Sequence, residues 1–176
     1  PIFDRIIRHV PTNRSDSTVP KLTDYLSYAD AQTQWAPDKL WDLFDGDRKS
    51  LNIAHECIDR HVDQGGERVA VILAHADGRD EKLTFADISR ASSQFAHWLR
   101  EQGVRPGDRV AVMLEPSRAF YVSIFGAIKA GAIAVPLFTL FGPDGIRLRV
   151  GDCKPKILVS NAEKAPLAAG IDSTRV

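Results

Sequence analysis

The chain has 176 residues, of which 44% are hydrophobic and 26% charged, a balance typical of a folded domain with its own core. Lysine plus arginine and aspartate plus glutamate number 23 each, and zero net charge argues against nucleic-acid or membrane-surface binding. Two cysteines cannot build a disulfide framework, which favours a reducing, cytoplasmic setting. The longest charge-free run, residues 130–143, is too short for a membrane span.

The first fifty residues predict short helices and loops. Apolar spacing predicts an amphipathic helix over residues 3–10, and two prolines among polar residues predict a loop over 11–20. Residues 22–35 and 40–44 predict two short helical pieces. We expect residues 1–50 to form an N-terminal extension.

The remainder, residues 51–176, is predicted to be an incomplete α/β domain. A helix is expected over residues 51–62, with Ala54, Cys57, Ile58 and His61 on one apolar stripe and two glycines after it. The apolar run 69–74 and the extended segment 82–84 flank an Asp-Gly turn, which predicts a β-hairpin.

A helix over residues 85–100 is indicated by its apolar spacing and by Thr84 and Asp87, which resemble a capping box. Beyond it, apolar strands alternate with helices, and continuous apolar strands in that alternation predict a mostly parallel sheet with right-handed crossovers. The predicted strands are residues 109–114, 132–135 and 156–160, and the predicted helices between them are 117–130 and 143–150.

Several ordered segments resemble the N-terminal part of the AMP-forming acyl-CoA synthetases, in particular the acetyl- and medium-chain members. The match covers about residues 51–160, whereas residues 1–49 match more loosely through Trp35 and Trp41. The segments that carry the resemblance are Leu51-Asn52-Ile53-Ala54 with Asp59-Arg60-His61, Lys82-Leu83-Thr84-Phe85, the turn and strand at 103–111, Lys129-Ala130-Gly131 with the strand to Leu137, and Phe141-Gly142-Pro143 with Arg147 and Asp152.

This resemblance implies an adenylate-forming ligase of carboxylic acid, or fatty acid, metabolism. Such an enzyme activates a carboxylic acid with Mg-ATP to an acyl-AMP and transfers the acyl group to coenzyme A. The family's Ser/Thr/Gly-rich phosphate loop has no match in these residues, nor do its ribose-binding aspartate and catalytic lysine. Some members have a CoA-binding segment at this point of the chain. The corresponding residues here are Pro166-Leu167-Ala168-Ala169, which differ from that segment, so no CoA-binding role is assigned to them. The resemblance therefore assigns no catalytic, cofactor-binding or metal-binding residue here, and this segment alone is expected to be inactive and to bind ATP, Mg and CoA weakly at most.

Two local groups invite a ligand-binding interpretation. The loop Phe141-Gly142-Pro143-Asp144-Gly145 precedes a predicted helix, whose first N–H groups favour anions, but no lysine or hydroxyl accompanies it, so a simple turn is expected. His55, Cys57 and His61 lie close together, yet a structural zinc site needs four ligands, so Cys57 is expected in the helix core.

Three further groups are expected to be structural. The basic residues Arg147, Arg149, Lys154 and Lys156 fit a solvated face with Asp144 and Asp152 as partners. The acids Asp77, Asp80 and Glu81 lie in a wet hairpin turn that would not tune an acid–base pair. Trp35, Trp41 and Trp98 lack the basic groove of a base-stacking platform and are expected to pack.

Other interpretations stay open at this level. The chain could be a stand-alone non-catalytic α/β module for a ligand or a partner, or part of a fatty-acyl-AMP ligase or an amino-acid adenylation domain. The predicted helix 117–130 is apolar on nearly every side, which is typical of a helix covered by several neighbours. The fragment is therefore expected to self-associate, or to be covered by the rest of a synthetase chain.

Overall fold

A computed structural model describes residues 25–168, and these belong to two compact units whose boundary along the chain lies between Phe44 and Asp45. The first unit contains helix α1 (Tyr28–Gln34) and a 3₁₀ segment (Pro37–Leu43), so both predicted helical pieces are present. Helix α1 is shorter than the predicted 22–35, of which residues 22–24 lie outside the described range, and the 3₁₀ segment begins three residues before the predicted 40–44. Ser27 caps α1, its hydroxyl oxygen accepting the Asp30 N–H. The helix predicted over residues 3–10 and the loop over 11–20 lie outside the described residues.

The second unit begins with a short helix where one longer helix was predicted. Helix α2 (Ile53–Cys57) stops at Ile58, and a 3₁₀ segment (Asp59–His61) follows. The prediction of a continuous helix over residues 51–62 is therefore wrong. The break lets Ile58 pack against the hairpin and lets Asp59 reach Lys129, so tertiary contacts outweigh helix propensity.

The predicted hairpin is confirmed as antiparallel strands β1 (Val69–Ala74) and β2 (Asp80–Thr84). Helix α3 (Phe85–Glu101) leaves β2 directly, and the Thr84–Asp87 capping box forms in both directions. Leu73, Leu83 and Ile88 are buried together beneath the hairpin. Aspartate thus serves as well as glutamate as the reciprocal partner of the capping threonine.

The parallel sheet is confirmed. Strands β3 (Arg109–Met113), β4 (Ile133–Pro136) and β5 (Ile157–Ser160) are parallel in the order β4-β3-β5. The central strand β3 is buried on both faces from Val110 to Met113, which is why its sequence is apolar without alternation. Together with its helices, this sheet gives the α/β fold that the sequence predicts.

Helices cover the two faces of the sheet. Helices α3 and α4 (Arg118–Lys129) pack on one face, over Val110 and Val112. Helix α5 (Pro143–Cys153) and a 3₁₀ segment (Ala165–Ala168) pack on the other face, over Ala111 and Met113. None of the described helices is both long and apolar enough to cross a membrane.

Helix α4 is less covered than its sequence suggests. Only Ser123, Gly126 and Ala127 are buried, and Gly126 lies where a Cβ would come within 2.7 Å of the Phe95 ring. Small residues thus form the contact with α3. The large apolar residues of α4 are partly buried, namely Phe120, Tyr121, Val122, Ile124, Phe125 and Ile128.

Candidate functional site

In open parallel sheets, ligands bind at the carboxyl ends of the strands, where neighbouring crossovers leave on opposite faces. Here that point lies between β3 and β5, because α4 and α5 pack on opposite faces of the sheet. A ligand-binding site in this unit is therefore expected at the residues that follow these strands.

Glu115 and Thr139 meet at this end of the sheet. Glu115 follows β3 and Thr139 follows β4, and the buried Thr139 hydroxyl donates a hydrogen bond to the Glu115 carboxylate. The pair ties together the two strand ends. It also places a negative charge at the carboxyl edge, which disfavours a phosphate there.

The loop before α5 does not fit a phosphate either. Gly142 precedes the helix and supplies no side-chain cap, while Asp144 adds negative charge in the first turn. The Arg149 guanidinium lies 3.7 Å from the Phe141 ring centroid and donates to the Gly145 carbonyl. Pro143 begins α5, as the expected turn with proline as the first helical residue requires.

A second polar group surrounds the start of α2. The Glu56 carboxylate is buried and accepts the N–H groups of Asp45 and Gly46 at 3.1 and 2.8 Å. Arg60 donates to Glu56 at 2.6 Å and pairs with Asp45 at 2.9 Å. A polar cavity of about 490 Å³ lies beside this group, between residues 45–52 and α2.

Hydrogen bonds set the charge of Glu56. Burial raises the pKa of this carboxyl, but the N–H groups of Asp45 and Gly46 and the guanidinium of Arg60 outweigh that effect and lower the pKa below its ordinary value. The carboxylate is thus held ionised, and both of its oxygens already accept hydrogen bonds from Asp45, Gly46 or Arg60. It anchors the loop and is not disposed to exchange a proton with a ligand.

An ion pair at the core was not predicted from the sequence. The Lys129 ammonium is almost fully buried and lies 2.6 Å from the Asp59 carboxylate. It also donates to the Ser89 carbonyl and to the Ser93 hydroxyl, both at 3.0 Å. Both charged residues stand in segments that carry the family resemblance, but no spacing in the sequence pairs them across seventy positions.

The His55, Cys57 and His61 group does not form a metal site. His55 lies 3.0 Å from Asp45, whereas the His61 ring packs 5.1 Å from the Phe85 ring. Cys57 is exposed, so its predicted place in a buried stripe is wrong, although Ala54 and Ile58 are buried as predicted. Within residues 25–168, no group of three or more histidine, cysteine, aspartate or glutamate side chains could hold a metal ion.

The basic residues near α5 have separate structural partners. Arg147 pairs with Asp144 at 3.5 Å as expected, and Lys156 pairs with Asp108 at 3.2 Å. Lys154 ends the helix in the left-handed conformation, with φ at 44°. The structure does not bring these side chains together into one anion site.

The hairpin acids are surface residues. Asp77 pairs with Arg79 at 2.7 Å, and that hydrogen bond lowers the pKa of Asp77. Glu81 faces His75 at 3.6 Å. Asp80 begins β2 and is exposed, so these carboxylates form no acid–base pair.

The tryptophans differ in their burial. Trp41 packs edge-on against Phe44 in the first unit, with ring centroids 6.0 Å apart, while Trp35 is 48% exposed. In the second unit, Trp98 stacks on Phe95 with ring centroids 5.5 Å apart, yet remains 43% exposed. Trp98 and Trp41 therefore pack against aromatic rings as expected, whereas the Trp35 side chain is more exposed than the prediction of a packing residue implies.

Residues 58–175 match the sequence profile of the family described as AMP-binding enzyme. An acetyl-coenzyme A synthetase of Halorhodospira halophila is 28% identical over 157 residues, which are 82% of this chain and 24% of that protein. The chain thus spans about a quarter of the length of such relatives.

Solved structures agree with the sequence comparison. The acyl-CoA synthetase of Brucella canis has a TM-score of 0.77 at 33% identity, over 84% of this chain and 27% of that one. The anthranilate CoA ligase AuaEII, solved with anthranoyl-AMP, has a TM-score of 0.59 at 29% identity, over 67% of this chain and 22% of that one. The α/β fold matches the N-terminal part of an acyl-CoA synthetase fold.

Proposed function

The chain belongs to the AMP-binding enzyme family, and we propose that it is the N-terminal segment of an ATP-dependent acyl-CoA synthetase. In the proposed reaction, a carboxylate oxygen attacks the α-phosphorus of ATP, forming an acyl-AMP and releasing pyrophosphate. The CoA thiol then attacks the acyl carbon, its proton is lost, and AMP leaves. Carboxylic acid, ATP, Mg and CoA are thus ligands of the longer enzyme.

The family match over residues 58–175 is the observation that carries the proposal. The likeness to the Brucella canis acyl-CoA synthetase supports it, because the structural match extends over 84% of this chain with a TM-score of 0.77. A synthetase needs a rigid scaffold to hold its ligand-binding loops, and the buried strand β3 is suited to that task.

The sheet end and the loop before α5 are poorly suited to the phosphates of ATP. Glu115 and Asp144 place negative charge at the two positions where a phosphate would otherwise be favoured. We therefore assign no catalytic or cofactor-binding residue to this chain. The proposal locates phosphate, ribose and CoA recognition in the remainder of the synthetase, and the unpaired cysteines fit a cytoplasmic enzyme.

A chimeric enzyme tests the proposal. The matched quarter of the Brucella canis acyl-CoA synthetase is replaced by this chain, and acyl-CoA formation is measured with a panel of short and medium carboxylic acids. Acyl-CoA above the no-enzyme background is expected, because the replaced part supplies scaffold and no catalytic group.

The control chimera carries Lys129→Met, which leaves the Asp59 charge without its buried partner. Its activity should fall in proportion to its folded fraction. A chimera that folds as the parent does but forms neither acyl-AMP nor acyl-CoA would contradict the proposal and favour a stand-alone module. Formation of acyl-AMP without acyl-CoA would show that this chain supports the first step of the reaction and not the second.

A further inference from the structure

We draw no further inference here: the strongest candidate, the polar cavity between residues 45–52 and helix α2, carries none because its buried carboxylate, Glu56, is already held by Asp45, Gly46 and Arg60, and nothing in the part of the chain that the structure describes indicates which ligand would occupy it.

Discussion

At the scale of single residues, the Glu56 carboxylate holds together the loop that opens the second unit. Its pKa is lowered in the folded chain because the hydrogen bonds from Asp45, Gly46 and Arg60 outweigh desolvation. A carboxyl group with a lowered folded pKa stabilises the fold above its unfolded pKa, and that contribution is lost as pH falls through the folded pKa. Acidification below the ordinary value of 4.5 should therefore weaken this loop.

The first prediction concerns Glu56→Gln. The variant should have a lower urea midpoint than the parent at pH 7, and the difference should shrink as the pH falls from about 5 to 2. Part of the acid sensitivity should remain, since hydrogen bonds from Thr84 and from the Arg105 N–H also lower the pKa values of Asp87 and Asp108. The exposed Glu67→Gln is the matched control, and equal midpoints for the two variants would refute the role assigned to Glu56.

The second prediction concerns the Asp59–Lys129 pair. Lys129→Met leaves the Asp59 charge without its partner and should lower the free energy of unfolding by about 2 kcal/mol. This is less than the roughly 3–5 kcal/mol of fully buried pairs, because Asp59 is 30% exposed. Adding Asp59→Asn should restore part of the loss, whereas the exposed Lys82→Met should have little effect. Chemical denaturation measures all four proteins, and a double variant less stable than Lys129→Met alone would contradict the pairing.

At the scale of elements, the contact between α3 and α4 depends on one glycine. A Cβ at Gly126 would lie 2.7 Å from the Phe95 ring and 2.8 Å from the Ser92 carbonyl oxygen. The third prediction is that Gly126→Ala destabilises the chain by about 1–3 kcal/mol, although alanine favours helices. Gly151→Ala in α5 meets no atom within 4 Å and should instead stabilise by about 0.5–1 kcal/mol. Thermal unfolding that ranks the two variants in the opposite order would exclude this packing.

Elements with strong local signals were predictable from the sequence. The Thr84–Asp87 cap fixes the start of α3, and the continuous apolar run 109–113 fixes a strand buried on both faces. The break of α2 at Ile58 could not be predicted, because it depends on contacts with Lys129 and the hairpin. The hydrogen-bond partners of Glu56 were not predicted either. Two of them are backbone N–H groups, which every residue except proline has, so the sequence pattern does not identify them.

The candidate site was predictable mainly in what it lacks. No lysine or hydroxyl accompanies the loop before α5, and the structure adds that Asp144 and Glu115 make this edge negative. The position of Thr139 beside Glu115 requires the strand order, which the sequence predicted only as a set of parallel neighbours. Cys57 was placed in the core because its spacing matches Ala54 and Ile58, but it is the last residue of α2 and its side chain is exposed.

At the scale of the whole molecule, several apolar surfaces lack cover within residues 25–168. Large side chains of α4 are only partly buried, and the edge strand β4 leaves Ile133 53% exposed. Phe138, Leu140 and Leu148 are more exposed still. Burying a large apolar side chain contributes about 1.5–3 kcal/mol, so leaving several uncovered favours association.

The fourth prediction is that the isolated chain self-associates at micromolar concentration. Sedimentation velocity should show species larger than a monomer that increase with protein concentration. Raising the salt concentration should not disperse them, because apolar contacts are not screened as charges are. A monomer over the whole concentration range would contradict this prediction and favour a stand-alone module.

The central claim is that this chain contributes scaffold to a synthetase and that the chemistry lies elsewhere in the polypeptide. ATP–pyrophosphate exchange by the isolated chain, with Mg and a panel of short and medium carboxylic acids, tests it most directly. Exchange at the no-enzyme background is expected for every acid. Exchange clearly above that background, lost on denaturing the chain, would mean that residues in this segment catalyse acyl-AMP formation and would contradict the account.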